Sequence, residues 1–311
     1  MTRPLTHIWR LGTWARVAAR HGALRGIQHD PNTPPPVKRL IGLFSLGTRR
    51  SRIPDYAGAF REIGPAAIKL GQTLATRPDL VGEEAARNLL TLQDSLPPVG
   101  FAAVREVIET SFGQKLETLY ADFDPSPVGA ASIAQVHRAI TTDGRTVAVK
   151  VLRPGVRERF ARDIDTYEWA AAHLEALGGE AARLRPRLTI ANFKRWTARE
   201  LDLRREAASA SELAEASVGI EGYRIPAIDW DRTNGRVLTL EWVDGIKISR
   251  VADLAAAGHD LPALARRLVL AFLKQAISGG FFHADMHQGN LFVLADGTIV
   301  AIDFGIMGRI D

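Results

Sequence analysis

The chain has 311 residues, 46% hydrophobic and 24% charged, which suits a soluble globular protein of two modest domains. It has no cysteine, which excludes disulfides and cysteine-ligated metals. The net charge is +5, with the basic excess concentrated early at Arg10, Arg16, Arg20, Arg25, Lys38, Arg39, Arg49, Arg50 and Arg52. Such a segment is either a solvated basic surface or a contact for an anionic membrane. No aromatic-basic motif for RNA stands out, so nucleic acid is not an expected partner. No apolar run reaches the ~18 residues of a membrane span, and the N-terminus lacks the apolar centre of a secretory signal. The expected location is cytoplasmic, with peripheral contact on the inner (cytoplasmic) membrane left open.

Residues 1–30 place Ile8, Leu11, Trp14, Val17 and Ala18 at loosely helical spacing among basic residues. An interfacial amphipathic helix and an ordinary packing helix both look like this. Residues 31–36 read as a break, ending in three consecutive prolines. Helical patterns then run over about 37–112, interrupted at Pro54, Pro78 and Pro97-Pro98. Within them, Lys69-Leu70-Gly71-Gln72 reads as helix with an odd glycine.

The character changes near Asp122. Short β-rich runs at 132–140 and 146–152 flank Thr142-Asp143-Gly144-Arg145, a good hairpin turn. Gly129-Ala130-Ala131-Ser132 stands at the start of this unit, where small side chains let backbone N–H groups approach phosphates. A tight turn made small for packing is the competing reading. One glycine followed by Ala-Ala-Ser predicts a stiffer loop than a glycine-rich one. In Val147-Ala148-Val149-Lys150, strand alternation sends Ala148 and Lys150 to one face. In kinases that alanine packs on adenine and the lysine reaches the α- and β-phosphates.

Helical patterns return over 156–217. A phosphate-binding lysine needs an acidic partner on a helix, and the stretch 199–207 offers Glu200, Asp202 and Glu206. Glu200 and Glu206 are six residues apart, about 120° around a helix, so both cannot serve Lys150 in one geometry. A solvated face with local ion pairs is the plainer alternative. Strands are expected at 224–231 and 236–242, joined by Thr233-Asn234-Gly235. Residues 238–245 fit a hinge whose backbone groups at Glu241 and Val243 would pair with an adenine edge. A helix over 263–278 ends at Gly279-Gly280.

The most informative stretch is Phe281-Phe282-His283-Ala284-Asp285-Met286-His287-Gln288-Gly289-Asn290, followed by Asp303-Phe304-Gly305. Asn290 lies five residues after Asp285, and Asp303 thirteen after Asn290. Phosphoryl transfer from ATP in the kinase fold uses that trio: Asp285 would orient or deprotonate the acceptor hydroxyl, and Asn290 and Asp303 would hold Mg2+ against the phosphates. The apolar runs between them are broken by Asp296-Gly297, a hairpin that would carry the metal ligands on a rigid strand pair. The element order predicts an α+β protein-kinase-like fold, with a β-rich N-lobe, an N-terminal helical extension and a partial helical C-lobe.

Over residues 40–311 or so, the chain resembles the UbiB family of atypical kinase-like proteins, linked to ubiquinone biosynthesis. Lys69-Leu70-Gly71-Gln72 matches that family's Lys-x-Gly-Gln signature. Gly129-Ala130-Ala131-Ser132 is similar to its alanine-rich loop, Lys150 to its nucleotide lysine, and Glu200-Leu201-Asp202 to its Glu-x-Asp motif. The resemblance implies that Lys69, with Gly71 and Gln72, packs near Glu200 and Asp202 to block a protein substrate, and that Lys150 pairs with Glu206. It implies ATP and Mg2+ as ligands, and quinone-biosynthesis proteins and a lipid or quinone precursor as partners. The implied activity is that of an ATPase or atypical kinase supporting isoprenoid quinone synthesis. Met286 and Gln288 depart from the prolines usual there, and the last residue follows Gly305 closely, which predicts a truncated C-lobe. The expected divisions are a helical extension at 1–118, a kinase-like N-lobe at 119–245 and a partial C-lobe at 246–311. A small-molecule kinase of the aminoglycoside or choline kinase type shares the His283-x-Asp285-x-His287 loop and is one alternative. A non-catalytic scaffold is another.

Overall fold

A computed structural model of the chain describes residues 3–29, 33, 35–46, 53–92, 97–176, 178, 182–183 and 185–310. Two compact units emerge. One comprises residues 1–97, 131–133 and 155–197; the other comprises 98–130, 134–154 and 198–311.

The second unit begins with the helix Phe101–Phe112 and strand β1 (Tyr120–Phe123). Then follow β2 (Gly129–Ala130), β3 (Ala134–Thr141) and β4 (Thr146–Leu152). Later in the chain come β5 (Tyr223–Arg224), β6 (Val237–Glu241), β7 (Ile246–Lys247), β8 (Phe281–His283), β9 (Leu291–Val293), β10 (Ile299–Ala301) and β11 (Met307–Arg309). A five-stranded antiparallel sheet has the order β1-β3-β4-β6, with β2 also on β3. Alternation along β4 buries Val147, Val149 and Val151 and leaves Ala148 and Lys150 half-buried on the other face. The buried valines pack with Val104, Ile108, Tyr120, Ala139 and Val237.

A second sheet has the order β5-β10-β9-β7, and β8 pairs with β11. The hairpin β9–β10 closes where Leu294 N–H donates to the Thr298 carbonyl at 2.9 Å. Gly297 takes the left-handed backbone (φ 81°) that glycine adopts without strain, and Asp296 accepts from Thr298 N–H. Below the sheet, Leu213, Leu254, Leu264, Ala271, Phe281 and Phe304 form the lower core.

One local expectation is corrected. Residues 224–231 form no strand beside β6. Only Tyr223–Arg224 forms a strand, and it runs parallel to β10, while Ile228 makes an isolated bridge to Leu240. Pro226 has no N–H for a ladder, and Asp229 instead caps the tight turn Trp230–Arg232. The five-stranded sheet is completed by β1 and β2. The helical patterns expected over 156–217 are present, and among the described residues they include Val156–Ala176, Pro186–Glu200 and Leu203–Ala216.

The first unit is helical. It holds Arg3–Arg20, Arg25–His29, Pro35–Phe44, Tyr56–Ile63, Pro65–Ala75, Pro78–Val81, Glu83–Leu89, Val156–Ala176 and most of Pro186–Glu200. Ala57, Ile68, Ala75, Leu89 and Leu92 form its core. Gly71 lies where a Cβ would stand 2.5 Å from Leu92 Cδ1 and 2.7 Å from Phe60 Cδ1, so only glycine lets these helices approach. Arg10 pairs with Asp163 at 3.1 Å, and the His7 ring stacks on Trp169. Among the described residues, no helix is long and apolar enough to cross a membrane.

Candidate functional site

The site is built in the second unit from β4, the helix Leu203–Ala216 and the loop that follows β8. On β4, Lys150 has Val136 and Leu238 as cross-strand neighbours. Its ammonium donates to Glu206 Oε1 at 2.7 Å and Oε2 at 2.9 Å, and to Asp303 Oδ2 at 3.4 Å. Glu206 sits in the first helical turn, on the stripe that buries Ala207, Ala210 and Leu213. Asp202 starts this helix: its carboxylate accepts from Arg204 N–H as the N-cap. The side chain of Glu206 is 8% exposed and that of Asp303 43%. Glu206 therefore anchors the lysine, and Asp303 stays accessible to a ligand.

Burial opposes the charge on Lys150, but the Asp303 and Glu206 carboxylates outweigh it and hold the ammonium above its ordinary range. The Lys150 charge, against burial, holds Asp303 below the usual carboxylate range. Burial pushes Glu206 up, with the ammonium pulling the other way.

The loop after β8 is held by backbone contacts. Asp285 N–H donates to His283 Nδ1 at 3.1 Å, which places the ring proton on Nε2, and Nε2 donates to the Asp303 carbonyl. Burial pushes the His283 imidazole down, against the attraction of Asp303 and Asp285, so the neutral ring suits its place. Asn290 Nδ2 donates to the Asp285 carbonyl at 3.3 Å, and the Asn290 carbonyl accepts from Ile302 N–H at 3.0 Å. Asp303 Oδ1 accepts from Gly305 N–H at 3.0 Å. The Asp285 side chain is 42% exposed, with His287 Nε2 at 3.8 Å. Met286 packs against the lower core.

Among the described residues, no three His, Cys, Asp or Glu side chains gather into a metal cluster. Asn290 and Asp303 offer two hard oxygen donors, a set that fits Mg2+, which takes few protein ligands where phosphates and water supply the rest. The amide nitrogen of Asn290 is committed to Asp285, so its oxygen is the atom able to ligate.

Other expected positions lie as follows. Gly129 and Ala130 form β2 against Val136 and Gln135, and a Cβ on Gly129 would meet nothing within 4 Å. Ala131 and Ser132 belong to the other unit, and Ser132 is fully buried. Glu241 ends β6. Its N–H donates to Ala227, and its carboxylate takes a bidentate pair from Arg224 at 2.8 and 2.9 Å, which holds it below its ordinary range. Val243 is half-buried just beyond the strand. In the first unit, buried Lys69 lies with its ammonium 5.6 Å from the Trp196 ring centre, and Gln72 donates to the Leu92 carbonyl. Glu200 ends the helix Pro186–Glu200. Sequence reasoning missed the roles of Trp196, Arg224 and the fully buried Gln275. The signal for Gln275 was an amide on an otherwise apolar helical stripe.

A solved complex of Rv3197 with erythromycin from Mycobacterium tuberculosis is similar to this chain, with 29% identity and a TM-score of 0.58 over 79% of the chain. The chain spans about three-fifths (61%) of the length of that relative. A Rio2 kinase complex with ADP/Mg2+ and phosphoaspartate from Chaetomium thermophilum matches at 14% identity and a TM-score of 0.41, covering 81% of this chain and 76% of that one. The family model described as the ABC1 atypical kinase-like domain matches residues 91–311, which take in the sheet, the Lys150–Glu206 pair and the loop of Asp285. The α+β architecture is that of a protein-kinase-like fold, and the chain belongs to the ABC1 atypical kinase-like family.

Proposed function

We propose that the chain binds ATP with Mg2+ and acts as an atypical kinase or ATPase. The observation that carries this reading is the Lys150 ammonium shared between Glu206 and Asp303, beside a loop in which Asn290 is tied to both Asp285 and Ile302. Lys150 would meet the α- and β-phosphates, and Asp285 would orient and accept the proton of the acceptor hydroxyl. Asn290 and Asp303 would hold Mg2+, whose chemistry is to neutralise charge along the phosphates. The Glu241 carbonyl and Val243 N–H would receive the adenine edge, and the Gly129-Ala130-Ala131-Ser132 segment would cover the phosphates.

The quinone-related role rests on the resemblance to the UbiB family through Lys69-Leu70-Gly71-Gln72 and Glu200-Leu201-Asp202. On that reading Lys69 and the Glu-x-Asp segment restrict access by protein substrates. The membrane part of the reading rests on charge and exposure. Residues 1–52 carry ten Lys and Arg against one Asp, a net +9, while the remaining residues sum to −4. Leu5, Ile8 and Trp9 of the first helix are exposed, as are Val37, Leu40 and Leu43 of the helix Pro35–Phe44. Phe44 packs close to Gly12, which shares the Leu5–Ile8–Trp9 stripe. A basic, apolar face of this kind suits an anionic bilayer surface.

The test is thermal stability with and without Mg-ATP, for the wild type and Asp303→Asn. A ligand at 100 times its dissociation constant adds about 2.7 kcal/mol. The expected result is a stabilisation that the variant loses. A cooperative transition unmoved by Mg-ATP in the wild type sinks the reading.

A further inference from the structure

The helix Leu261–Leu273 does not end as an α-helix; it widens into a π segment, Lys274–Gly279. Such turns recur at functional sites. Its inward stripe runs Leu264, Leu268, Ala271, and the next position is Gln275, with no exposed surface. A buried amide on an apolar stripe is costly unless its polar atoms are bonded. Gln275 is bonded in two directions. Its Nε2 donates to Ser217 Oγ at 3.2 Å, and its Oε1 accepts from His283 N–H at 3.4 Å. Ser217 closes the helix whose first turn carries Glu206. His283 holds the Asp285 N–H and the Asp303 carbonyl. One amide thus joins the helix that anchors Lys150 to the loop of Asp285 and, through the His283 ring, to the backbone of Asp303 beyond β10.

We propose that Gln275 is a positioning residue that sets His283, and through it Asp285 and Asp303, at a fixed place relative to the Glu206 helix. Its functional meaning rests on the nucleotide-site reading above, whereas its structural meaning rests on the hydrogen bonds alone. The wider π turn lets both Gln275 and Ala276 face inward, so the amide reaches Ser217 and β8 while the apolar stripe stays filled.

The experiment is amide hydrogen exchange on the free protein, together with nucleotide binding with and without Mg2+, for the wild type, Gln275→Met and Gln275→Glu. Methionine keeps the volume and removes both polar contacts. The expected result is Asp285 amide exchange faster by roughly tenfold, with the amides of the helix Phe101–Phe112 unchanged. The Mg2+-dependent gain in ATP affinity should fall by roughly tenfold while metal-free affinity stays. A protonated glutamic acid mimics the amide as donor and acceptor. Gln275→Glu should therefore keep slow exchange near pH ~5.5, after correction for intrinsic rates. Wild-type protection of Asp285 in Gln275→Met overturns the proposal whether or not nucleotide binds. A wild type that binds no Mg-ATP sinks the nucleotide reading instead, and the exchange result still decides the strut. Should Gln275→Met fail to fold, Ser217→Ala decides: faster Asp285 exchange supports the strut, and unchanged exchange overturns it.

Discussion

The Lys150 ammonium donates to both carboxylate oxygens of Glu206 and meets Asp303 only at 3.4 Å. One carboxylate is thereby a structural anchor and the other a shared, accessible group. Removing the first leaves a mostly buried cation with a distant, half-exposed partner.

Glu206→Gln should destabilise the protein by about 3 kcal/mol, read by urea denaturation. The double variant Lys150→Met/Glu206→Leu should recover most of that loss, because it removes both charges and keeps the volume. A single-variant loss under about 0.5 kcal/mol would mean that the pair is not load-sharing with the core.

Gly71→Ala tests the close approach of the helix Pro65–Ala75 to Phe60 and Leu92. Alanine improves helix propensity by up to about 1 kcal/mol, whereas overpacking costs about 1–3 kcal/mol. A net loss of about 1–2 kcal/mol is expected from thermal unfolding. A more stable variant would refute the packing argument.

His283 predicts a pH slope. Its folded pKa lies below the unfolded value of about 6.5, so the unfolded chain takes up the proton first. Its contribution is therefore complete above about pH 6.5 and is lost as pH falls toward the lowered folded value. Burial lowers His137 as well, so part of the slope belongs to that ring. Between pH ~7 and ~5 the wild type should lose stability more steeply than His283→Asn. Parallel curves would show that the ring is not held neutral.

The N-terminal helices predict binding to vesicles of anionic lipid. Co-sedimentation should be strong at low salt, weaken at high salt and be absent with zwitterionic vesicles. Replacing Leu5, Ile8 and Trp9 together by serine should abolish it. Binding that ignores both lipid charge and this change would remove the membrane from the reading.

Much of the second unit was legible because its signals are local. The Val147–Lys150 alternation and the Asp296-Gly297 turn specify β4 and the β9–β10 hairpin through neighbours in sequence. The failed strand at 224–231 shows the limit: apolar content favoured a strand, yet Pro226 and the capping carboxylate of Asp229 decided otherwise. The odd Gly71 carried no local reason. Its cause is Phe60, on the helix Tyr56–Ile63, and Leu92, just beyond the helix Glu83–Leu89. The pairing of Lys150 with Glu206, instead of Glu200 or Asp202, depends on where the helix Leu203–Ala216 starts, and the Asp202 cap sets that. Gln275 was hidden because its partners Ser217 and His283 come from separate elements.

The β9–β10 hairpin works as a ruler. Asn290 and Asp303 flank its open end, where the Asn290 carbonyl takes the Ile302 N–H, and the rungs Leu291–Ala301, Phe292–Val300 and Val293–Ile299 fix the distance between them. Changing one arm by a single residue would turn Asp303 to the opposite side of the sheet. Lengthening both arms equally would move only the tip. Insertions and deletions in this hairpin should thus be tolerated in matched pairs, and relatives that keep both Asn290 and Asp303 should vary in the tip and not in the base.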